Sequence, residues 1–541
     1  MFGGEGVHAV QTVFLLLLII VAGFAMLARR LKVSYPIVLV IAGLLISFVP
    51  RIPRIPLSPD LVFLIFLPPL LYASAWTTSW RELRGNLVSI TMLAIGLVSF
   101  TVWGVAAFAD HFITLFDWKS GFVLGAVVST TDAIAATSIA RSLGLPRRIV
   151  DILEGESLLN DATGLLALEF GLRMVVQGNT PTAGEAILRL LYLLVAGLGI
   201  GLAIGVVMAW CERFIDDGPI EIVLSLIIPY TAYLAGEAAH ASGVLAVVAC
   251  GLYMSRKSVA IFSPGVRVQI FGVWGALTFV LNGVIFVLIG LQLPYVLAGI
   301  RGLSRTTLLE YGAIFSLILI ALRLLWIFPA AQIAYLVRTR ILGHKEQRPS
   351  PRSIFVIGWT GMRGVIALAA AISLPETLAS GAPFAARNLI VFLTFSVILV
   401  TLVLQGLTLP PLIRALGLSS GSGMDAEERS GRRTMLHEAL AYLEEGRATD
   451  DDSFAHVYDD LEHRYRHRLA AIDGVDATSD EHEHSSATYS RLREIAQGAV
   501  QAERRAMIRL RDEGLISDDA LRTMERELDL QEIRYDSAVT G

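Results

Sequence analysis

"EGESLLNDATGL", residues 154–165, decides how this chain is read. It places Glu154, Glu156 and Asp161 within eight residues, and the stretches on either side read as lipid-facing helix. A charged residue such as Asp or Arg at the centre of a membrane helix costs roughly 2.5–3.5 kcal/mol on the insertion scale. Such residues need a partner, a water-filled cavity or a function. Ser157 and Asp161 are four apart and Glu154 is seven before Asp161, so these three share one helix face. Glu156 and Asn160 share a neighbouring face.

The surroundings carry the membrane reading. Of 541 residues, 54% are hydrophobic and 17% charged, with a mean hydropathy of +0.63. A soluble domain carries charge on about a quarter of its residues. The charge is also uneven. Residues 1–417 are apolar blocks with short polar joints, and residues 418–541 are dense in Asp, Glu, Arg and His. The pattern predicts an all-α polytopic membrane domain over 1–417 and a soluble, helical, regulatory tail over 418–541. Cys211 and Cys250 lie in or beside apolar stretches and read as buried free thiols. The first block, from Val7, is followed rather than preceded by its basic cluster (Arg29, Arg30, Lys32), which is the order of a first span and not of a cleaved signal.

At roughly 20 residues per span, about thirteen blocks can be drawn, from one centred near Leu17 to one near Val400. With the N-terminus outside, the inner joints hold Arg29, Arg30, Lys32, Arg81, Arg84, Arg141, Arg147, Arg148, Arg213, Arg256, Lys257 and the Arg338–Arg352 cluster. The outer joints are poorer in basic residues, as the positive-inside rule demands. An odd number of spans places the tail in the cytoplasm. The run "GLGIGLAIG" (197–205) follows no strand and opens no helix, so it reads as close helix packing and not as a nucleotide loop.

Two blocks look built to break. "STTD" (129–132) puts three hydroxyls and an acid in the middle of the fifth. "GWTGMRG" (358–364) puts three glycines around Thr360 and Arg363 in the twelfth. Hydroxyl side chains compete for backbone bonds and glycine weakens a helix. Broken helices in corresponding positions of two halves are a transporter signature. Blocks five and twelve suit two inverted six-helix repeats. Unwinding would bring the Thr131 carbonyl beside Asp132 and Asp161.

Carboxylates, a hydroxyl and carbonyls are hard oxygen ligands for a small hard cation, and no His or Cys joins them to suit a transition metal. The cation site predicted at Asp132 and Asp161 takes a small hard cation or a proton in competition, which couples the two flows; the resemblance given below implies a monovalent cation there. Glu156 is expected to pair with Arg363 as a structural brace. Glu154 reads equally as a solvated helix-start residue or as a further site carboxylate. Arg323 and Asn282 read as structural or as supports behind the site. Glu169 and Arg173 most simply pair with each other.

At these residues the sequence resembles the sodium/proton antiporters of the monovalent cation:proton antiporter-1 family (NhaP/NHE-type). The resemblance runs over roughly residues 10–417. It rests on "FLPPLLYASAW" (66–76), "STTDAIAA" (129–136), "EGESLLNDATG" (154–164), "FVLNGVIFVLIGLQL" (279–293), "GMRGVIALAAA" (361–371) and "LVLQGLTLPPLIRALGL" (402–418). It implies thirteen spans divided between a core and a dimerisation domain, and a homodimer. Asp161 would carry the ion or proton, Asp132, Thr131 and Ser157 would complete the site, and Glu156 would pair with Arg363. Asn160, where electrogenic relatives carry a second Asp, implies electroneutral exchange. The sequence departs from the family pattern at Tyr72-Ala73 (usually Phe-Glu), at Ala133 (usually Pro) and at Ala162 (usually Gly).

In the tail, "SSGSGMDAEERSGRR" (419–433) reads as a flexible joint. A helix follows with Phe454, Val457, Tyr458, Leu461, Tyr465, Leu469 and Ile472 on one stripe, then a second near Tyr489–Asp512 and a third capped by Ser517. His437, His456, His463, His467, His482 and His484 read as solvated surface residues.

The expected function is Na⁺ (or Li⁺) exchange for H⁺ by alternating access, serving pH and sodium homeostasis in a bacterial inner membrane. K⁺/H⁺ exchange is the alternative. A cation channel would show a repeated filter, and a membrane enzyme would need a nucleophile or cofactor site, which the sequence does not offer. The expected partners are Na⁺, H⁺ and the lipid bilayer, with no cofactor and no nucleic acid.

Overall fold

In a computed structural model, the chain is described over residues 4–49, 57–178, 182–215, 217–300, 304–343, 348–378, 381–418, 426–450, 452–473 and 498–510, and at 513, 528 and 530. Helix is the dominant structure among these residues. The only pairing of extended backbone among them is one isolated bridge, Thr377 to Pro383. Two compact units are separated by chain contacts, residues 1–421 and 422–541.

The first unit contains α1 (Gly4–Leu31), α2 (Tyr35–Ile46), α3 (Pro59–Thr77), α4 (Trp80–Phe112), α5 (Trp118–Ser129), α6 (Ala133–Ser142) and α7 (Arg147–Leu172). It continues with α8 (Ala183–Glu212), α9 (Gly218–Ala238), α10 (Gly243–Ile261), α11 (Pro264–Leu291), α12 (Arg305–Ile341), α13 (Pro351–Trp359), α14 (Val365–Ile372) and α15 (Arg387–Ala415). Among the described residues, nine helical stretches are long and apolar enough to cross a membrane. The chain is therefore a multi-pass membrane protein. α7 falls outside those nine, as expected of a helix that carries Glu154, Glu156 and Asp161, yet it is among the most buried helices of the unit.

Small residues set the packing. Gly197, Gly201 and Gly205 repeat every fourth position along α8, and α10 lies directly on them. A Cβ at Gly201 would run into the Ala246 carbonyl. The glycine run thus lies inside a helix as a packing stripe. Where α4 widens into a π turn (Met92–Leu97), two carbonyls take side-chain donors. Met92 O accepts from Trp326 Nε1 at 3.1 Å and Ala94 O accepts from Thr163 Oγ1 at 2.5 Å, tying α4 to α12 and to the middle of α7. Cys250 is buried, whereas Cys211 is half-buried rather than fully enclosed.

In the second unit, α16 (Ala426–Thr449) pairs with α17 (Ala455–Asp473). The joint expected over 419–433 gives way to helix from Ala426 onward. The reason is composition: Ala, Glu and Arg between 426 and 433 are strong helix formers. Arg447 bridges the two helices through Asp459 at 2.7 Å. Phe454 and Val457 are exposed. The helix expected near Tyr489–Asp512 is present over residues 498–510, and the rest of it, the Ser517 cap, His482 and His484 lie outside the described residues.

Candidate ion site

Both expected breaks are present. The fifth block stops as helix at Ser129 and resumes at Ala133, and the twelfth stops at Trp359 and resumes at Val365. The two unwound segments cross and are joined by their backbones, with Asp132 N donating to Met362 O at 2.9 Å. Four half-helix ends therefore converge. The N-terminal ends offer partial positive charge and the C-terminal ends partial negative charge.

Asp132 caps α6, its Oδ1 accepting from Ile134 N at 2.8 Å. Its carboxylate also lies over Gly364, the residue that opens α14, where a Cβ would collide with it. One carboxylate thus faces the N-terminal ends of both resumed half-helices. No proline is needed at position 133 for this break, since the Asp132 cap and the Met362 contact fix it.

α7 passes beside the crossing. Asp161 is 2% exposed and its Oδ1 has no hydrogen-bond partner. Its carboxylate is near enough to Asp132 for their charges to interact. Ser157 Oγ donates to the Thr131 carbonyl at 2.9 Å, and the Asn160 amide donates to the Thr131 hydroxyl, leaving Asn160 Oδ1 without a donor. Thr131 Oγ1 in turn donates to Glu156 Oε1 at 3.2 Å. The structure therefore brings Thr131, Asp132, Ser157, Asn160 and Asp161 together at one buried point.

The arginines are distributed differently from expectation. Glu156 pairs with Arg323 and not with Arg363. Arg323 Nη1 and Nη2 reach its two oxygens at 2.5 and 2.9 Å, and both side chains are 2% exposed. Arg323 also donates to the carbonyls of Ile357 and Gly358, each at 3.1 Å, in the last turn of α13. Arg363 donates instead to Val128 O at 2.8 Å, in the last turn of α5, and to Gly361 O at 2.5 Å. Each arginine sits on the C-terminal carbonyls of an interrupted half-helix, where the backbone dipole ends in negative charge and the final carbonyls lack intrahelical donors. Gly361 is required for this, since a Cβ there would overlap the Arg323 side chain.

Glu154 is neither solvated nor part of this cluster. It is 7% exposed and ion-paired with Arg141, itself largely exposed. Glu169 and Arg173 pair as expected at 2.6 Å. Asn282, on α11, lies close to the Tyr35 hydroxyl, which is also within electrostatic reach of Asp132. Tyr35 is absent from the sequence-level candidates. It opens an apolar helix, and nothing in its spacing signals a polar contact.

A family model described as "Sodium/hydrogen exchanger, transmembrane" matches residues 14–415. The chain belongs to the sodium/hydrogen exchanger family. This exchanger is 33% identical over 550 residues to a protein of Mycobacterium tuberculosis named as an uncharacterised Na⁺/H⁺ exchanger, covering 98% of this chain and 97% of that one. It is 31% identical to the Na⁺/H⁺ antiporter ApNhaP of Aphanothece halophytica, with 82% of each chain covered. The sodium proton antiporter MjNhaP1 of Methanocaldococcus jannaschii shares its fold, with a TM-score of 0.57 at 20% identity over 76% of this chain and 99% of that one. The family is one of transporters rather than enzymes.

Proposed function

We propose that the exchanger moves Na⁺ (or Li⁺) against H⁺ by alternating access, with Asp161 carrying each in turn. The observation that carries this reading is the Asp161 carboxylate oxygen, buried without a donor beside a second carboxylate at the crossing of two broken helices. Two like charges so placed are relieved by one cation or one proton, and one occupant excludes the other. Asp132, Ser157 and the Thr131 carbonyl complete the oxygen shell. Glu156 with Arg323, Arg363 on Val128, and Asn160 on Thr131 hold its shape.

Asn160 cannot titrate, so Asp161 is the single proton carrier on this stretch and exchange is electroneutral. Sodium is favoured over potassium by the family description and by the name of the Aphanothece relative. The described helices support thirteen spans in two inverted six-helix repeats, if α5 with α6 and α13 with α14 each count as one broken span. The functional unit is a homodimer with the N-terminus outside, an exchange domain over 1–417 and a regulatory helical tail over 418–541 in the cytoplasm. The membrane is the bacterial inner membrane, and the exchange serves pH and sodium homeostasis.

Reconstitution into vesicles tests this reading. Outward gradients of Na⁺, Li⁺ or K⁺ are imposed while lumenal pH and membrane potential are followed. Sodium and lithium are expected to drive proton movement without a voltage, and Asp161→Asn to abolish it while the protein remains folded. Wild-type rates in Asp161→Asn would remove Asp161 from the mechanism, and a voltage during exchange would overturn electroneutrality.

A further inference from the structure

α4, α7, α12 and α13 enclose a cavity of about 370 Å³ at the end of the bundle where α12 finishes and α7 and α13 begin. Its walls are graded. The outer ring carries Arg148 at the start of α7, Arg338 near the end of α12, Arg348, and Ser350 at the start of α13. Deeper along the same helices stand Ile152 on α7, Ile327 on α12 and Ile357 on α13, and Leu93 of α4 completes an apolar floor. Ile152 follows Arg148 at helical spacing, as Ile357 follows Ser350, so rim and floor share one face of each helix. Arg338 is 4% exposed, which holds its charge inside the protein, whereas Arg148 and Arg348 are exposed at the rim. Among the described residues, no Asp or Glu lines the cavity.

Arg148 already donates its Nε to Asn86 Oδ1 at 3.2 Å. A guanidinium carries five N–H donors, so an arginine that has a protein partner can still serve an anion, and its planar fork matches phosphate. Ser350, the N-cap of α13, makes no side-chain capping bond. The first amides of that helix, and its partial positive charge, therefore stand at the same rim. A soluble anion would use the rim and leave the floor idle. A purely apolar ligand would use the floor and gain nothing from three arginines. An occupant with a phosphate and a hydrocarbon chain uses both. Pockets that enclose small ligands run from about 300 to 1,000 Å³, so this one takes a headgroup phosphate and the upper part of one chain. Basic pockets between membrane helices are a recurrent way of holding anionic headgroups, and lipid is the amphiphile that a multi-pass protein always meets.

We propose that this cavity binds an anionic phospholipid, with its phosphate held by Arg338, Arg348 and Arg148 beside the start of α13 and one chain laid on the floor of Ile152, Ile327 and Ile357. The floor borders the frame of the ion site. The Ile357 carbonyl accepts from Arg323 Nη2 at 3.1 Å, and Glu156, the partner of Arg323, lies one turn beyond Ile152 on α7. A chain on the floor thus packs against α13, the half-helix whose C-terminal end Arg323 closes. Neither Asp132 nor Asp161 lines the cavity, so the lipid supports the broken helix without entering the ion site.

Native mass spectrometry tests the site without needing transport, using the full-length protein stripped of lipid in an uncharged detergent and titrated with dioleoyl phosphatidylglycerol. The wild type is expected to retain a tightly bound lipid. Arg348→Gln should weaken that binding about tenfold or more, the effect of losing one charged hydrogen bond. Ala331→Phe, at a residue lining the cavity, keeps every arginine but fills the floor and should weaken it as much. Arg338→Gln should remove binding altogether, and the other two variants carry the test if it fails to fold. Arg256→Gln, at a basic position outside the cavity, should change nothing. Dioleoyl phosphatidylethanolamine, with the same chains and no net charge, should bind far more weakly. Wild-type affinity in both Arg348→Gln and Ala331→Phe overturns the proposal, as does equal binding of the two lipids. Displacement of the lipid by millimolar inorganic phosphate, or a loss in Arg348→Gln with none in Ala331→Phe, assigns the rim to a free anion and overturns the lipid. Asp161→Asn should bind lipid as the wild type does, so failure of the exchange reading leaves this site standing.

Discussion

Replacing Arg323 by Met would remove the only cation bonded to Glu156 among the described residues and both guanidinium bonds to its oxygens, at 2.5 and 2.9 Å. Breaking one side of a buried ion pair typically costs about 3–5 kcal/mol, because the other charge is left uncompensated. The upper half of that range is expected here, since the carbonyls of Ile357 and Gly358 lose donors as well. Glu156→Met should cost about 3 kcal/mol, the lower end, because Arg323 keeps both carbonyls. The double replacement removes both charges together and should cost far less than the sum. The expected coupling is about 2–3 kcal/mol, the top of the range for directly bonded residues. The parallel cycle with Arg363→Met should give under about 1 kcal/mol, because Arg363 feels Glu156 only through space. Equilibrium unfolding titrations in mixed micelles read all five variants and the wild type. Stronger coupling of Glu156 to Arg363 than to Arg323 would refute the assignment of the two arginines.

Three further outcomes follow from contacts elsewhere in the chain. Gly364→Ala pushes the Asp132 carboxylate off the α14 terminus, so exchange should fall at least about tenfold, one step of 1.4 kcal/mol, while Gly272→Ala, with nothing within 4 Å, leaves vesicle flux unchanged. Gly201→Leu wedges α8 from α10 and should cost at least about 1–3 kcal/mol, read as loss of monodisperse protein on size exclusion. Burial alone would raise the Asp117 carboxyl, but the Ser120 hydroxyl and amide outweigh it and hold it below the usual carboxylate range. A depressed folded pKa contributes stability above the unfolded value and loses it as pH falls through the folded one. Asp117→Asn should therefore narrow the stability gap between neutral and strongly acidic pH, measured by thermal unfolding at each pH.

Much of the site was legible because membrane helices punish polarity. Asp132, Asp161 and the hydroxyls of "STTD" could be singled out from their cost alone, and the two breaks follow from residues that weaken helices. What could not be read was which groups satisfy which charges. Glu156 lies 167 positions from Arg323 and 207 from Arg363, and sequence complementarity treats the two arginines alike. The difference between them is made by backbone. A broken helix exposes its last carbonyls, and those acceptors belong to no side chain, so no residue pattern announces them. Glu154 was left open for a related reason. Its place near a helix start suggested solvent, but Arg141 of the preceding half-helix folds back onto it.

The arrangement of the two arginines suggests why this fold tolerates interrupted helices in lipid at all. Unwinding in the middle of a bilayer strands backbone carbonyls with no water to bond them, at several kcal/mol each. Arg363 meets this cost at the end of α5, and Arg323 meets it at the end of α13. Each guanidinium is itself too costly to bury alone. The carbonyls and Glu156 offset Arg323, and the carbonyls of Val128 and Gly361 offset Arg363. The negative ends of the interrupted helices are thereby closed by protein. The N-terminal ends face Asp132, and it is on that side that the buried, unbonded Asp161 carboxylate oxygen lies, where the proposed ion would bind. An arginine at each C-terminal end therefore supports the crossing of the broken helices from outside the proposed ion ligands.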